Sequence, residues 1–233
     1  MTELEHAVTA MTAGADDFMV KPLDRYRLEA TLIAAARVTA LHHELREQQT
    51  SLVRLNSLLF DDARRDALTG LGNRLRLTED LITLSARIDR AGSPGCLALV
   101  DVDLFKSYND AYGHPAGDEA LRSVARGLTG AIRPGDMAYR YGGEEFLVLM
   151  PDTTLPSATS ALDRIRVAIE AMTVPHTQNP SGGVMTVSGG IAQSSAPGND
   201  VEAWLKNADL ALYQAKSEGR NRVVAFHPTD KAA

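Results

Sequence analysis

The 233-residue chain has one cysteine, Cys96, so it can form no internal disulfide. Set at the start of an apolar run, that thiol reads as a small buried residue in keeping with a reducing compartment. Positive charge is also short: 24 Lys and Arg stand against 30 Asp and Glu, a formal net charge of -6. That balance argues against tight binding of polymeric nucleic acid, which needs a concentrated basic face, while a single anionic nucleotide needs only a few local cations and a metal ion. No apolar stretch approaches the length of a bilayer span, and the acidic, polar N-terminus lacks the basic segment and apolar core of a signal peptide. The expected location is the cytoplasm. With 44% hydrophobic and 23% charged residues the chain is not a disordered tail, and it is long enough for one or two domains with a real core.

A second absence organises the chain. From about Leu28 to Asp62 there is no Gly and no Pro, and a heptad fits with Thr31, Val38, Leu45, Leu52 and Leu59 at one core position and Ala34, Leu41, Gln48, Leu55 and Asp62 at the other. Seven of these ten residues are apolar, which predicts either a two-stranded coiled coil or an amphipathic helix packed on its own domain. The polar residues off the stripe in "HHELREQQTSLVRLNSLL" favour the coiled coil, since they leave the helix little else to bury. Before it, "AGADDFMVKPLDRYRL" (Ala13 to Leu28) places a short apolar stretch at Phe18 to Val20 ahead of Lys21-Pro22, where Pro22 interrupts regular structure.

After about Arg65, helix and strand patterns alternate. Helices are expected from Asn73 to Arg90, through Leu121, Val124, Ala125, Leu128 and Ile132, through Ala158, Leu162, Ile165 and Ile169, and from Val201 to Ser217. Strands are expected at Cys96 to Val102, Met185 to Ala192 and Arg222 to Phe226. "DMAYRY" and "EEFLVLM", separated by Gly142-Gly143, predict a hairpin, because glycine supplies the positive φ of tight turns. The fold class is α/β, with at least one antiparallel pair in the sheet.

Two carboxylates, Glu144 and Glu145, follow the hairpin glycines, and Asp101 and Asp103 end the strand "LVDV". Carboxylates gathered at strand ends repel one another and are relieved by protonation or by a cation. Oxygen ligands suit Mg²⁺ or Mn²⁺, and Mg²⁺ commonly joins one or two carboxylates to substrate phosphates. A metal-dependent phosphoryl or nucleotidyl transferase is one reading; solvated acids at loop edges are the other.

"RYGGEEF" (Arg140 to Phe146) resembles the signature of the GGDEF family of diguanylate cyclases in its GGEEF form. The supporting motifs follow in order: "DALTGLGNR" (Asp66 to Arg74), "DVDLFKSYND" (Asp101 to Asp110), "GHPAGDEAL" (Gly113 to Leu121), "RPGD" (Arg133 to Asp136) and "ALYQAKSEGRNRV" (Ala211 to Val223). The resemblance covers about residues 65 to 227. It implies a five-stranded mixed sheet surrounded by helices, related to nucleotide cyclases and polymerase palms, that condenses two GTP into cyclic di-GMP and two pyrophosphates.

Carried over residue by residue, the resemblance makes Asp101, Glu144 and Glu145, with the Val102 carbonyl, the ligands of Mg²⁺ or Mn²⁺. Glu144 also becomes a candidate for deprotonating the attacking 3′-hydroxyl, and Lys216 joins Asp101 and Glu144 as catalytic. Asn109 and Asp118 would bond the guanine edge, whose donors a carboxylate accepts and whose pattern adenine lacks. Gly142 and Gly143 let the backbone approach the nucleotide. The phosphates would meet Lys106, Lys216, Arg220 and the backbone N–H groups of Leu104, Phe105 and Lys106. Other roles suit the same residues one by one: Asn109 as a helix cap, Asp118 in a first helical turn, Lys216 and Arg220 as an exposed last-turn pair, and His114 as a loop hydrogen bonder.

Arg133 and Asp136 occupy the family's RxxD inhibitory site and Arg164 aligns with its additional arginine, so product binding there would block productive pairing of domains. A surface turn ending a helix also explains Arg133 to Asp136. Each domain would hold one GTP, so catalysis requires a homodimer, which a parallel stalk favours by effective concentration. Residues 1–27 resemble the end of a receiver domain, with Lys21 at the Lys-Pro switch; the phosphoacceptor and switch strand would lie upstream. The expected organisation is a receiver remnant at 1–27, a helical stalk at 28–64, the cyclase domain at 65–227 and a tail at 228–233, similar to the receiver-linked cyclases of the Wsp type. The competing function is a regulatory module that binds GTP or cyclic di-GMP without synthesis.

Overall fold

The computed structural model describes residues 3–19, 21–180, 182–194 and 200–227. The chain divides into two compact units, Met1–Asp61 and Asp62–Ala233.

The first unit contains α1 (Glu3–Thr12) and most of α2 (Arg25–Asp62). Asp24 starts α2: its carboxylate accepts the Tyr26 N–H at 2.9 Å and its carbonyl the Leu28 N–H at 2.9 Å, the two bonds expected of an N-cap. The helix begins three residues before the expected Leu28 because this cap, rather than the apolar stripe, sets its start. At 38 residues it is about 57 Å long. Among its described residues none is buried, and Val38, Leu41, Leu45, Leu52, Leu55 and Leu59 are all exposed. The short apolar stretch at Phe18 to Val20 forms no strand at Phe18 and Met19, and Val20 lies outside the described residues. A lone strand has no partner for its N–H and C=O groups, and the described residues offer it none.

The second unit is a five-stranded sheet between two helical layers. Its elements are α3 (Arg74–Ala91), β1 (Gly95–Val102), α4 (Phe105–Tyr112), α5 (His114–Ala131), β2 (Met137–Gly142), β3 (Glu145–Met150), α6 (Leu155–Ala171), β4 (Val187–Ser194), α7 (Val201–Ser217) and β5 (Val223–Ala225). The strand order is β2-β3-β1-β4-β5, antiparallel throughout except the parallel pair β4 and β5. Strand alternation sorts β1 between two cores. Cys96, Ala98, Val100 and Val102 pack with α4, α5 and α6, whereas Leu97 and Leu99 pack with α3 and α7.

Caps explain several boundaries. Asn73 accepts the Arg76 N–H and Gly92 closes α3 in the left-handed conformation, while Asp200 accepts the Glu202 N–H to start α7. The strand expected at Met185 to Ala192 is shifted to Val187–Ser194, because its register follows the pairing with β1, Val102 to Val187 and Gly95 to Ser194. Trp204 is buried against β4, its indole N–H donating to the Ala192 carbonyl at 2.8 Å. The tail expected at 228–233 lies outside the described residues.

Candidate active site

The central strand β1 delivers Asp101 to the site. By alternation Asp101 shares the α3/α7 face with Leu97 and Leu99, and α7 presents Lys216 to it: Lys216 Nζ lies 2.9 Å from Asp101 Oδ2. Gly190 sets that spacing. A Cβ there would lie 2.1 Å from the Leu212 nitrogen and 2.2 Å from the Ala208 carbonyl oxygen, so only glycine admits the α7 backbone so close to β4. Glu145 pairs directly with Asp101 across the β1/β3 ladder, which puts both side chains on one face. The Glu144 carbonyl accepts the Val102 N–H at 3.3 Å and fastens the hairpin tip to the end of β1.

The hairpin turns one residue later than expected. Gly142 is the last residue of β2 and pairs with Glu145, so Gly143 and Glu144 form the turn, with Gly143 alone of the two glycines at positive φ (55°). A bulge between Arg140 and Gly142 absorbs the difference. Glu144 is thereby lifted to the tip.

Burial pushes the Asp101 carboxyl up to about 6, against the opposing pull of Lys216 and with a further push from Glu144 and Glu145. A carboxylate raised by burial and then by two acidic neighbours is a site that a cation relieves, and Asp101, Glu144 and Glu145 fit a divalent ion in that sense. Among the described residues no three His, Cys, Asp or Glu side chains form a ready-made cage. Mg²⁺ does not require one, since it takes one or two carboxylates and completes its shell with water and phosphate oxygens.

At the hairpin tip opens a cleft of about 510 Å³, lined by Phe105, Lys106, Asn109, Asp118, Gly143 and Glu144 among others. All six belong to the motifs quoted above. The cleft also takes in Arg140, Asp110, His114 and Leu121, to which no nucleotide role was given. Arg140 had a readable signal, as the cation that opens the signature stretch. Asn109 Oδ1 is buried without a hydrogen-bond partner, facing Gly117, where a Cβ would lie 1.9 Å away. The cap role for Asn109 therefore fails: it sits inside α4, and Leu104 precedes that helix at φ 55° with no side-chain cap. The first-turn amides of α4 are left for another acceptor.

Arg220 lies in the turn after α7 at φ 63°, partly exposed. Arg133, Asp136 and Arg164 are not part of the cleft. Arg133 Nε lies 3.1 Å from Asp136 Oδ1, the Asp136 N–H bonds the Arg133 carbonyl at 3.1 Å, and Arg133 Nη2 donates to the Pro151 carbonyl at 2.8 Å. The motif thus closes its own turn between α5 and β2, and Arg164 is exposed on α6.

Asp103 departs from the carboxylate cluster that its spacing suggested. Had β1 continued, Asp103 would share a face with Asp101; the strand ends at Val102, and the Asp103 side chain is buried against Thr186 and Ser188 instead.

Residues 63–222 match the family described as Diguanylate cyclase, GGDEF domain. The chain is 38% identical over 220 residues to the response regulator PleD of Caulobacter vibrioides, covering 93% of this chain and 46% of that protein. It is 39% identical over 186 residues to the diguanylate cyclase DgcM of Escherichia coli, covering 78% and 42%. It thus spans less than half the length of these curated relatives. Among solved structures, the coiled coil and GGDEF domain of DgcB from Caulobacter crescentus in complex with c-di-GMP superposes with a TM-score of 0.66 at 35% identity, covering 85% of this chain and 98% of that one. Diguanylate cyclase SiaD of Pseudomonas aeruginosa, solved with its activator SiaC, gives 0.65 at 30% identity over 95% and 81%. With more than half its length matched to the family, and with Asn109, Asp118 and Glu144 lining one cleft, the chain belongs to the GGDEF family of diguanylate cyclases.

Proposed function

We propose that this protein condenses two GTP into cyclic di-GMP and two pyrophosphates. The observation that carries this reading is the cleft lined by Lys106, Asn109, Asp118 and Glu144, the last of which also acts on the Asp101 carboxyl. Asp101, Glu144, Glu145 and the Val102 carbonyl would hold Mg²⁺ or Mn²⁺, which supplies a Lewis acid for phosphoryl chemistry. Guanine sits against Asn109 and Asp118, which line the cleft and between them offer an amide and a carboxylate to its edge. Lys106, Lys216, Arg220 and the first amides of α4 take the triphosphate. Gly142 and Gly143 leave the hairpin open: a Cβ at either would meet nothing within 4 Å. Glu144, at the hairpin tip, accepts the proton of the attacking 3′-hydroxyl.

One cleft holds one GTP, so the 3′-hydroxyl must come from a second copy. The exposed apolar stripe of α2 supports a parallel homodimer that holds two domains face to face. On this reading residues 28–64 are the stalk, 65–227 the cyclase domain and 1–27 the end of a receiver. Arg133 and Asp136, with Arg164, would bind cyclic di-GMP and block productive pairing; the half-exposed Arg133 guanidinium supports this. No helix among the described residues is long and apolar enough to cross a membrane.

The test is incubation with GTP and Mg²⁺, chromatography for cyclic di-GMP, and mass in solution, with Glu144→Ala beside the wild type. Product from the wild type alone supports the cyclase. GTP binding without product from a dimer supports a regulatory module instead.

A further inference from the structure

Asp103 is 1% exposed and has no part in the proposed chemistry. Its carboxylate collects three donors from two distant parts of the chain. Oδ1 accepts the Ser188 hydroxyl at 2.6 Å; Oδ2 accepts the Thr186 hydroxyl at 2.7 Å and the Asn221 backbone N–H at 3.1 Å. Its own N–H donates to the Thr186 carbonyl at 3.0 Å. Asn179 extends the cluster, its side-chain amide donating to Thr186 Oγ1 at 3.0 Å and to the Val184 carbonyl at 2.7 Å.

The turn held at Asn221 is a strained one. Arg220 and Asn221 take φ of 63° and 46° in succession, a conformation that side chains other than glycine's adopt only when their surroundings enforce it. The enforcing contacts are few. Arg222 O accepts the Gly189 N–H at 2.9 Å, Ala215 O accepts the Arg220 N–H at 3.1 Å, and the Asn221 side chain is bound by Arg166 and Glu170 at 2.9 Å each. Asp103 supplies the one charged acceptor on the turn's backbone, and it does so two residues from Asp101.

We propose that Asp103 is a positioning residue for the nucleotide triphosphate: its carboxylate fixes the turn after α7 so that Arg220 faces the phosphates beside Asp101. The inference rests on the phosphate role given to Arg220 above. Without the carboxylate the Asn221 N–H and two buried hydroxyls lose their acceptor, and the turn relaxes from its left-handed conformation. Asparagine would keep most of the arrangement, because its carbonyl can serve Thr186 and Asn221 while the Ser188 hydroxyl rotates to accept from the amide.

The test is a double-mutant cycle on the full chain: wild type, Asp103→Ala, Arg220→Ala and the double variant, with Asp103→Asn as rescue. Initial rates are measured against GTP concentration, and affinity is measured with a GTP analogue carrying a methylene bridge between the α- and β-phosphates. We expect Asp103→Ala to raise KM and weaken the analogue by roughly tenfold, the loss of a charged hydrogen bond, with a smaller change in kcat. That effect should largely vanish in the Arg220→Ala background, and Asp103→Asn should lie near wild type. An unchanged KM in Asp103→Ala, or one that adds fully to Arg220→Ala, overturns the proposal and leaves Asp103 a purely structural hub. If Asp103→Ala does not fold at the assay temperature, Asp103→Ser takes its place in the cycle, its hydroxyl being too short to hold Asn221, with the same outcomes. A wild type that makes no product, or an Arg220→Ala that binds the analogue normally, faults instead the phosphate reading on which this one stands.

Discussion

Arg140 and Asp66, 74 residues apart in the chain, are joined by a guanidinium that also holds the signature hairpin: Nη1 lies 3.2 Å from both Asp66 oxygens, while Nε and Nη2 donate to the Gly143 carbonyl at 3.0 and 2.8 Å. Burial pushes the Asp66 carboxyl up, but the Thr69 hydroxyl and amide together with Arg140 outweigh it and hold it below the ordinary value. The segment just past α2 is thereby tied to the loop that carries Glu144. Asp66→Asn should cost roughly 1–3 kcal/mol of stability at neutral pH. Because the folded pKa is lowered, this contribution is present above the ordinary Asp range and fades as pH falls through the folded value; urea melts at pH 7 and pH 3 check it.

Glu144→Gln removes the acceptor at the hairpin tip while keeping its shape. Turnover should fall roughly 10²–10⁴-fold with the fold intact. Circular dichroism and steady-state rates measured together separate this from unfolding.

Asp101 gives a pH signature of opposite sign to Asp66. Its folded pKa is raised from 3.8 to about 6, so its contribution to stability is complete below about pH 4 and is lost as pH rises through about 6. In metal-free buffer the wild type should lose up to about 3 kcal/mol relative to Asp101→Asn between pH 4 and pH 8, and Mg²⁺ should restore part of it. Parallel pH profiles for the two proteins would contradict this.

Gly190→Ala places a methyl against the backbone of α7. Overpacking there should cost roughly 1–3 kcal/mol and shift Lys216 away from Asp101, so that residual activity falls even in the fraction that remains folded. Thermal melts and single-turnover rates distinguish the two effects.

Leu45→Glu with Leu52→Glu puts four like charges on the expected α2 seam of a dimer. Mass in solution should drop to that of one chain and turnover with it, while the spectrum of the α/β unit is kept.

Most helices and strands were legible because the apolar periods are strong: Leu121 to Leu128 along α5, Ile165 and Ile169 on α6, and the run in β1 are all buried where their spacing puts them, whereas α1 and the eight-residue α4 were not among the expected helices. The residues that line the cleft were legible through the family resemblance, since Lys106, Asn109, Asp118 and Glu144 lie far apart in the chain and share no local period. Local signals misled where a partner strand or a bulge decides. The apolar residues Phe18 and Met19 form no strand without a neighbour, and the hairpin turn moved to Gly143-Glu144 once a bulge took up a residue of β2.

By itself, then, the sequence determined the α/β layering, an unbroken helix over about Leu28 to Asp62 and the identity of the acids, because these follow from periodicity, from the absence of Gly and Pro and from motif order. Tertiary structure alone decided that Asp101 meets Lys216, that Arg140 reaches back to Asp66, and that Asp103 turns away from the acids to hold a distant turn. The physical reason is that each of these depends on where a strand ends and which element packs on its face, and a side chain one residue past the end of β1 no longer obeys the alternation that placed its neighbours.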